Sequence, residues 1–146
     1  MRVVAPERRW DVPRDFTVAD VTFGKVIRLA GYDLAESGIT PGGTVTVTLA
    51  WQALAEMETS YRVFVHVLNA SGQVLAQSDG EPAAWTRPTT GWAVGEVVVD
   101  ERVIALPGDV APGDYEIRVG LYVLDGPRLL LPTGEDAFVL AANGRQ

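Results

Sequence analysis

The chain contains no cysteine, which excludes disulfides, thiolate nucleophiles and zinc–thiolate sites. This says little about compartment, because many bacterial domains outside the cytoplasm also lack disulfides. Histidine occurs once, at His66, so no His-pair metal site and no catalytic set with two imidazoles can be assembled. Of the 12 basic residues all but Lys25 are arginine, and 19 acidic residues outnumber them to give a formal net charge of -7. Surfaces that bind nucleic-acid phosphates are built from clustered Lys and Arg, so nucleic acid is not an expected partner. No run of about 18 apolar residues is present, so no direct membrane insertion is expected. The N-terminus does not read as a signal peptide, since Glu7, Arg8, Arg9, Asp11, Arg14 and Asp15 interrupt any apolar stretch. These features fit a cytoplasmic protein if the chain is complete, or a piece of a larger chain with Met1 added. Helical periodicity, internal repeats and low-complexity tracts are absent as well.

What is present is strand patterning. In Thr44 to Gln52 (T-V-T-V-T-L-A-W-Q), Val45, Val47, Leu49 and Trp51 fall on one face of an extended strand, with Thr44, Thr46, Thr48, Ala50 and Gln52 on the other. A strand with one apolar face needs a second layer to cover it. Tyr115, Ile117, Val119, Leu121 and Val123, alternating within 113–124, supply the natural partner. The 146 residues suit one domain with a sizeable core.

Taken in order, residues 1–17 carry Pro6 and Pro13 among mixed charges, with Trp10 and Phe16 as large anchors, and read as a linker or lead-in arm. A first strand is expected near Val18 to Phe23, ended by Gly24, and a second over Val26 to Leu34. Gly31 within the second signals a bulge or a close backbone approach. Ser37-Gly38 and Pro41-Gly42-Gly43 are turns into the Thr44 strand. Ala53 to Glu58 is expected to form a single helical turn or a loop. Tyr61 to Leu68 is apolar on both faces, so it sits centrally or under a loop, and Asn69 to Gly72 turns it into a strand over Gln73 to Ser78. Residues 79–95 hold two of the four Trp and no strand pattern, the marks of a packed loop that can also carry a binding function. Strands are then expected over Glu96 to Leu106, within 113–124, at Arg128 to Leu131 and at Ala137 to Leu140. Pro107-Gly108, Pro112-Gly113 and Asp125-Gly126-Pro127 mark turns between them. Eight or nine short strands separated by turn signals predict an all-β antiparallel β-sandwich, immunoglobulin-like or jelly-roll-like, over residues 18–140, with a frayed tail at 141–146. The strand order is not readable, because Greek-key and jelly-roll connections share the same local signals.

The succession F-G-K-V-I-R-L-A-G-Y-D-L (23–34), P-G-G-T-V-T-V-T-L-A-W-Q-A (41–53), Y-R-V-F-V-H-V-L (61–68), A-Q-S-D-G (76–80), P-T-T-G-W-A-V-G-E (88–96) and G-D-Y-E-I-R-V-G-L-Y (113–122) carries a resemblance. Over about residues 18–131 it resembles the C-terminal extracytoplasmic β-sandwich domain of multi-pass bacterial membrane glycosyltransferases of the mannosyltransferase-like class, found in Chloroflexus-type bacteria. The chain departs at Ala111-Pro112-Gly113, where Pro-Pro-Gly is commoner. The resemblance implies a non-catalytic accessory domain on the extracytoplasmic side of a membrane, attached to a membrane-embedded parent. It carries no catalytic residues across.

The candidate site residues each have an ordinary structural reading. His66, mid-strand, reads first as a hydrogen-bonded structural histidine. Asp79, Glu81, Glu96, Asp100 and Glu101 are the acidic residues from which a glycosidase pair would be drawn, although charges at loop edges are commonly just solvated. Asp109, Asp114, Asp125, Glu135 and Asp136 sit at turns and could approach calcium, with no EF-hand spacing among them; turn-forming Asp is the default. Asn69-Ala70-Ser71 matches a glycosylation acceptor formally, and its Asn serves the turn. The aromatics are more informative. Trp85 and Trp92, with Tyr122 on the polar face of its strand, Tyr32 near it and Asp79 beside them, could form a stacking platform for sugar rings. Trp92 otherwise plugs the sandwich, Trp85 anchors the loop, and Trp51 is core. No cofactor and no catalytic residue is expected. The leading expectation is a non-catalytic accessory domain serving interaction or substrate presentation; the alternatives are a free-standing carbohydrate-binding module using loop 79–95 and, remotely, a hydrolase.

Overall fold

The computed structural model describes residues 8–35, 41–83, 86–109 and 115–140. Ser37-Gly38, Trp85, Pro112-Gly113, Asp114 and the 141–146 tail lie outside them. The described residues form eight strands: β1 (Thr17–Phe23), β2 (Ile27–Ala35), β3 (Thr44–Ala53), β4 (Arg62–Asn69), β5 (Val74–Gly80), β6 (Val97–Ala105), β7 (Tyr115–Tyr122) and β8 (Phe138–Val139). They form two antiparallel sheets, ordered β1-β2-β3-β6 and β5-β4-β7-β8. The fold is the expected all-β sandwich. Among the described residues the only helical piece is a three-residue 3₁₀ turn at Thr89–Gly91; of the stretch Ala53 to Glu58, Ala53 ends β3 and residues 54–58 are loop, too short to hold a helix alone. No helix among the described residues is long and apolar enough to cross a membrane.

The alternation read in β3 is its packing. Val45, Val47, Leu49 and Trp51 are all fully buried, and at about 1.5–3 kcal/mol per large side chain this one face contributes on the order of 6–12 kcal/mol before chain entropy is subtracted. They share one core with Tyr115, Ile117, Val119 and Leu121 of β7 and Val63, Val65 and Val67 of β4. Phe23 meets Trp51 edge-on, with ring centroids 5.8 Å apart. The Trp51 indole N–H has no hydrogen-bond partner among the described residues.

Two positions show why a small residue is needed. At Gly31 the β2–β3 register shifts, and an added Cβ would lie 2.8 Å from the Thr17 carbonyl oxygen and 3.4 Å from Val12 and Phe16. Both sequence expectations for Gly31, a bulge and a close approach, are found together. The neighbour that approaches is the lead-in arm. The Arg9 carbonyl accepts from the Val97 amide on the free edge of β6, and Val12 and Phe16 pack at Gly31 on β2. Residues 9–16 thus strap across the outer face of the first sheet, and Ala50, on that face of β3, is fully buried. At Gly120 the Cβ position is occupied by the Phe64 ring of the paired strand.

The sandwich is closed along one side by charge. Asp100 and Arg102 lie on the inward face of edge strand β6 with Val98 and Ile104, and both are buried. Arg102 holds Asp100 at 3.0 Å and donates to the carbonyls of Gly80 (2.9 Å) and Glu81 (3.2 Å), while Asp100 accepts from the Ala83 amide (2.9 Å). A buried ion pair persists only with its remaining hydrogen bonds satisfied, and the end of β5 supplies them.

Candidate functional site

The outer face of the second sheet carries a recess of about 310 Å³ lined by Phe64, His66, Gln77, Asp79, Tyr122, Gly126 and Arg128. Strand alternation places them: Phe64 and His66 point outward from β4, opposite the inward Val63, Val65 and Val67. Register then brings Asp79 beside Phe64 and Gln77 beside His66 on one flank, and Arg118 beside His66 on the other. Tyr122 pairs with Arg62 and, through an isolated bridge, with Arg128, which enters from the turn that follows β7. That turn is shaped by Asp125, in the left-handed region (φ 59°), where Asp is among the better-tolerated residues.

The floor is closely packed, and the rim has hydrogen-bonding capacity to spare. The Arg128 guanidinium lies 4.1 Å above the Phe64 ring, and its other partner is Asp136 at 3.3 Å. Phe64 is therefore nearly inaccessible although it faces outward. His66 and Tyr122 flank it, with ring centroids 4.9 and 6.3 Å away. The side chains of His66, Gln77, Asp79 and Tyr122 make no hydrogen bond to any described residue. The Asp79 carboxylate stands 3.8 Å from His66 Nε2, beyond hydrogen-bond range. Among the described residues His66 thus lacks the hydrogen bond expected of it. Burial pushes the His66 pKa below its ordinary value; Asp79 works against that and Arg128 adds to it.

Of the four proposed ligand residues, the structure brings Asp79 and Tyr122 together and sets Trp92 apart from them. Trp92 is 3% exposed within the core and its indole donates to the Arg87 carbonyl at 3.0 Å; no ring can stack on it. Tyr32 is likewise in the core. Trp85 lies outside the described residues. The aromatic platform is therefore not assembled as expected, because Trp92 and Tyr32 fall on inward positions. Sequence reasoning passed over Phe64, Gln77 and Arg128. The signal available was the two-sided apolar pattern of β4, which placed something on its outer face.

The described parts of loop 79–95 are tied down. Thr89 is buried, donates to the Thr59 carbonyl (2.8 Å) and accepts from the Tyr61 amide (3.0 Å). Glu96, fully buried, accepts from Arg8, from Arg87 (2.6 Å) and from the Ala93 amide (2.9 Å). Burial raises the Glu96 pKa, but the hydrogen bonds from Arg87 and Ala93 and the charges of Arg87 and Arg8 outweigh it, so it lies below the ordinary value. Glu81 accepts from the Ser60 hydroxyl (2.6 Å). Three of the acidic residues weighed for hydrolysis, Glu81, Glu96 and Asp100, are thus engaged by protein groups, and Glu101 lies exposed on the opposite face of β6 from Asp100. Among the described residues no three His, Asp or Glu groups are placed to hold a metal ion. Asn69 accepts from the amides of Ser71 and Gln73, each at 3.0 Å, which makes it a turn residue.

No protein-family model matches this chain, and no curated protein matches it in sequence.

Proposed function

We propose that this chain is a non-catalytic accessory β-sandwich domain of a membrane glycosyltransferase-like protein, presenting carbohydrate through the outer face of its second sheet. The observation that carries the reading is the recess around Tyr122. Four polar side chains converge there without a hydrogen bond to any described residue, beside one aromatic ring with free surface, over a floor packed from Phe64 and Arg128. Groups left unpaired in a preformed hollow are what a polar ligand requires. Among the described residues lining the recess Asp79 is the one carboxylate, so they do not supply the pair on which glycoside hydrolysis depends. The link to a membrane parent rests on the order of motifs from Phe23 to Tyr122.

Two experiments test the two halves. Retention of the domain on immobilised polysaccharides, lost on Tyr122→Ala while the melting transition is kept, is the expected result for binding. A wild-type domain retained on none of them overturns it. For the parent, the reading frame at the genomic locus is expected to continue upstream into apolar spans, and a frame without them removes that half.

A further inference from the structure

We infer that the recess takes a neutral, hydroxyl-rich sugar unit, a hexose ring without carboxylate or phosphate, in preference to an acidic glycan; this rests on the carbohydrate-binding reading above. The charges a ligand would meet decide it. Among the described residues Arg128 is the only arginine or lysine lining the recess, and it is engaged twice, stacked on Phe64 and paired with Asp136. Arg118, across from His66, is held by Glu116 at 2.8 Å. Burial keeps His66 toward its neutral form. What faces an incoming group is therefore the Asp79 carboxylate, with no hydrogen bond from any described residue and its side chain 33% exposed. A second anion placed against it meets like charge, which is a device of exclusion.

A sugar hydroxyl meets the opposite situation. It donates to Asp79 in a charge-assisted bond, stronger than a neutral one. It can also accept from Gln77, and neutral His66 and the Tyr122 hydroxyl can each donate and accept. Each sugar hydroxyl likewise does both, so the rim matches a polyol and not a group that only accepts. The half-buried Tyr122 ring supplies a flat apolar face for the C–H side of a pyranose. The volume is at the small end of ligand pockets, about 300 Å³, which suits one ring of a chain or its terminus.

The test is an amide NMR titration of the full chain with neutral methyl hexosides and oligosaccharides, and in parallel with a methyl hexuronide and a hexose phosphate. Neutral sugars are expected to shift the amides of Gln77, Asp79 and Tyr122, with the acidic ones at least about tenfold weaker. Asp79→Asn, at an accessible side chain, is expected to keep the fold, to weaken neutral sugars about tenfold, and to narrow the gap to the hexuronide by removing the repulsion. Acidic glycans binding as tightly as neutral ones overturn the inference and leave the carbohydrate-binding reading standing. An unchanged neutral affinity in Asp79→Asn also overturns it. If no sugar perturbs the recess at any soluble concentration, the reading beneath it falls too.

Discussion

Phe64 occupies the space that a side chain on Gly120 would fill, and Arg128 closes over the other side of the ring at 4.1 Å. The cross-strand pair is thus one aromatic lying on one glycine, and the floor of the recess is built from it. Gly120→Ala forces the ring off this seat. Overpacking of this kind costs about 1–3 kcal/mol. Chemical denaturation is expected to report that loss, together with weakened sugar binding, because Arg128 moves with the ring. An alanine variant as stable as wild type would falsify the close packing.

The Asp100–Arg102 clip makes a prediction with an asymmetry. Asp100→Ala leaves the Arg102 guanidinium buried without its anion and the Ala83 amide without its acceptor, a loss of about 3–5 kcal/mol. The double variant Asp100→Ala/Arg102→Met removes the stranded charge. It is expected to be less destabilised than the sum of the two single changes, which urea unfolding of all four proteins measures as a coupling energy.

The strap predicts that the first sheet's outer face depends on the arm. Gly31→Ala sets a Cβ 2.8 Å from the Thr17 carbonyl, so the arm must lift, at a cost of about 1–3 kcal/mol. Limited proteolysis should cut residues 9–16 sooner in this variant than in wild type. Equal cutting rates would mean that the arm is not held there.

Acid should weaken the fold through Glu96. Its pKa is lowered on folding, so its stabilisation is fully present above the unfolded carboxylate value, about 4.3, and is lost as pH falls through the lower folded value. The stability gap between wild type and Glu96→Gln is expected to be widest near neutrality and to shrink below pH about 4, read by urea unfolding at each pH. A gap independent of pH rules out the ion pairs as its source.

His66 adds a second window. Its folded pKa is also lowered, so the folded state binds the proton less readily than the unfolded chain. The stability this represents is present above about 6.5 and is lost as pH falls through the folded value. The groups around the imidazole are Asp79 on β5, Arg118 on β7 and Arg128. In His66→Gln that part of the pH dependence should vanish, and an unaltered profile between pH 7 and 5 would show that another group carries it.

The sequence determined the layers and their interior. Alternation in β3 and β7 is set by the two-residue period of an extended chain, so Val45, Val47, Leu49 and Trp51 could be placed in the core and opposite Ile117, Val119 and Leu121 without coordinates. Turn chemistry is similarly local, which is why Asn69 and Gly31 were legible. The pattern of β4 was readable in part: a strand apolar on both faces sits centrally or lies under a loop, and its pairing with both β5 and β7 gives it the central place. Strand order was decided elsewhere: whether β6 joins β3 or β5 depends on which pairings bury the most surface at once, and no local residue encodes that. The recess was hidden for the same reason. Asp79 and Tyr122 lie far apart along the chain and meet only through the registers of β4 with β5 and β7. Arg128, Gln77 and Gly120 look like turn, solvent and spacer residues until those registers stack them around Phe64. Trp92 failed as a platform residue because exposure is a property of the packed whole: an indole in a loop is equally suited to stack on a ligand or to fill the core, and the hydrogen bond to Arg87 together with the burial around it settled which.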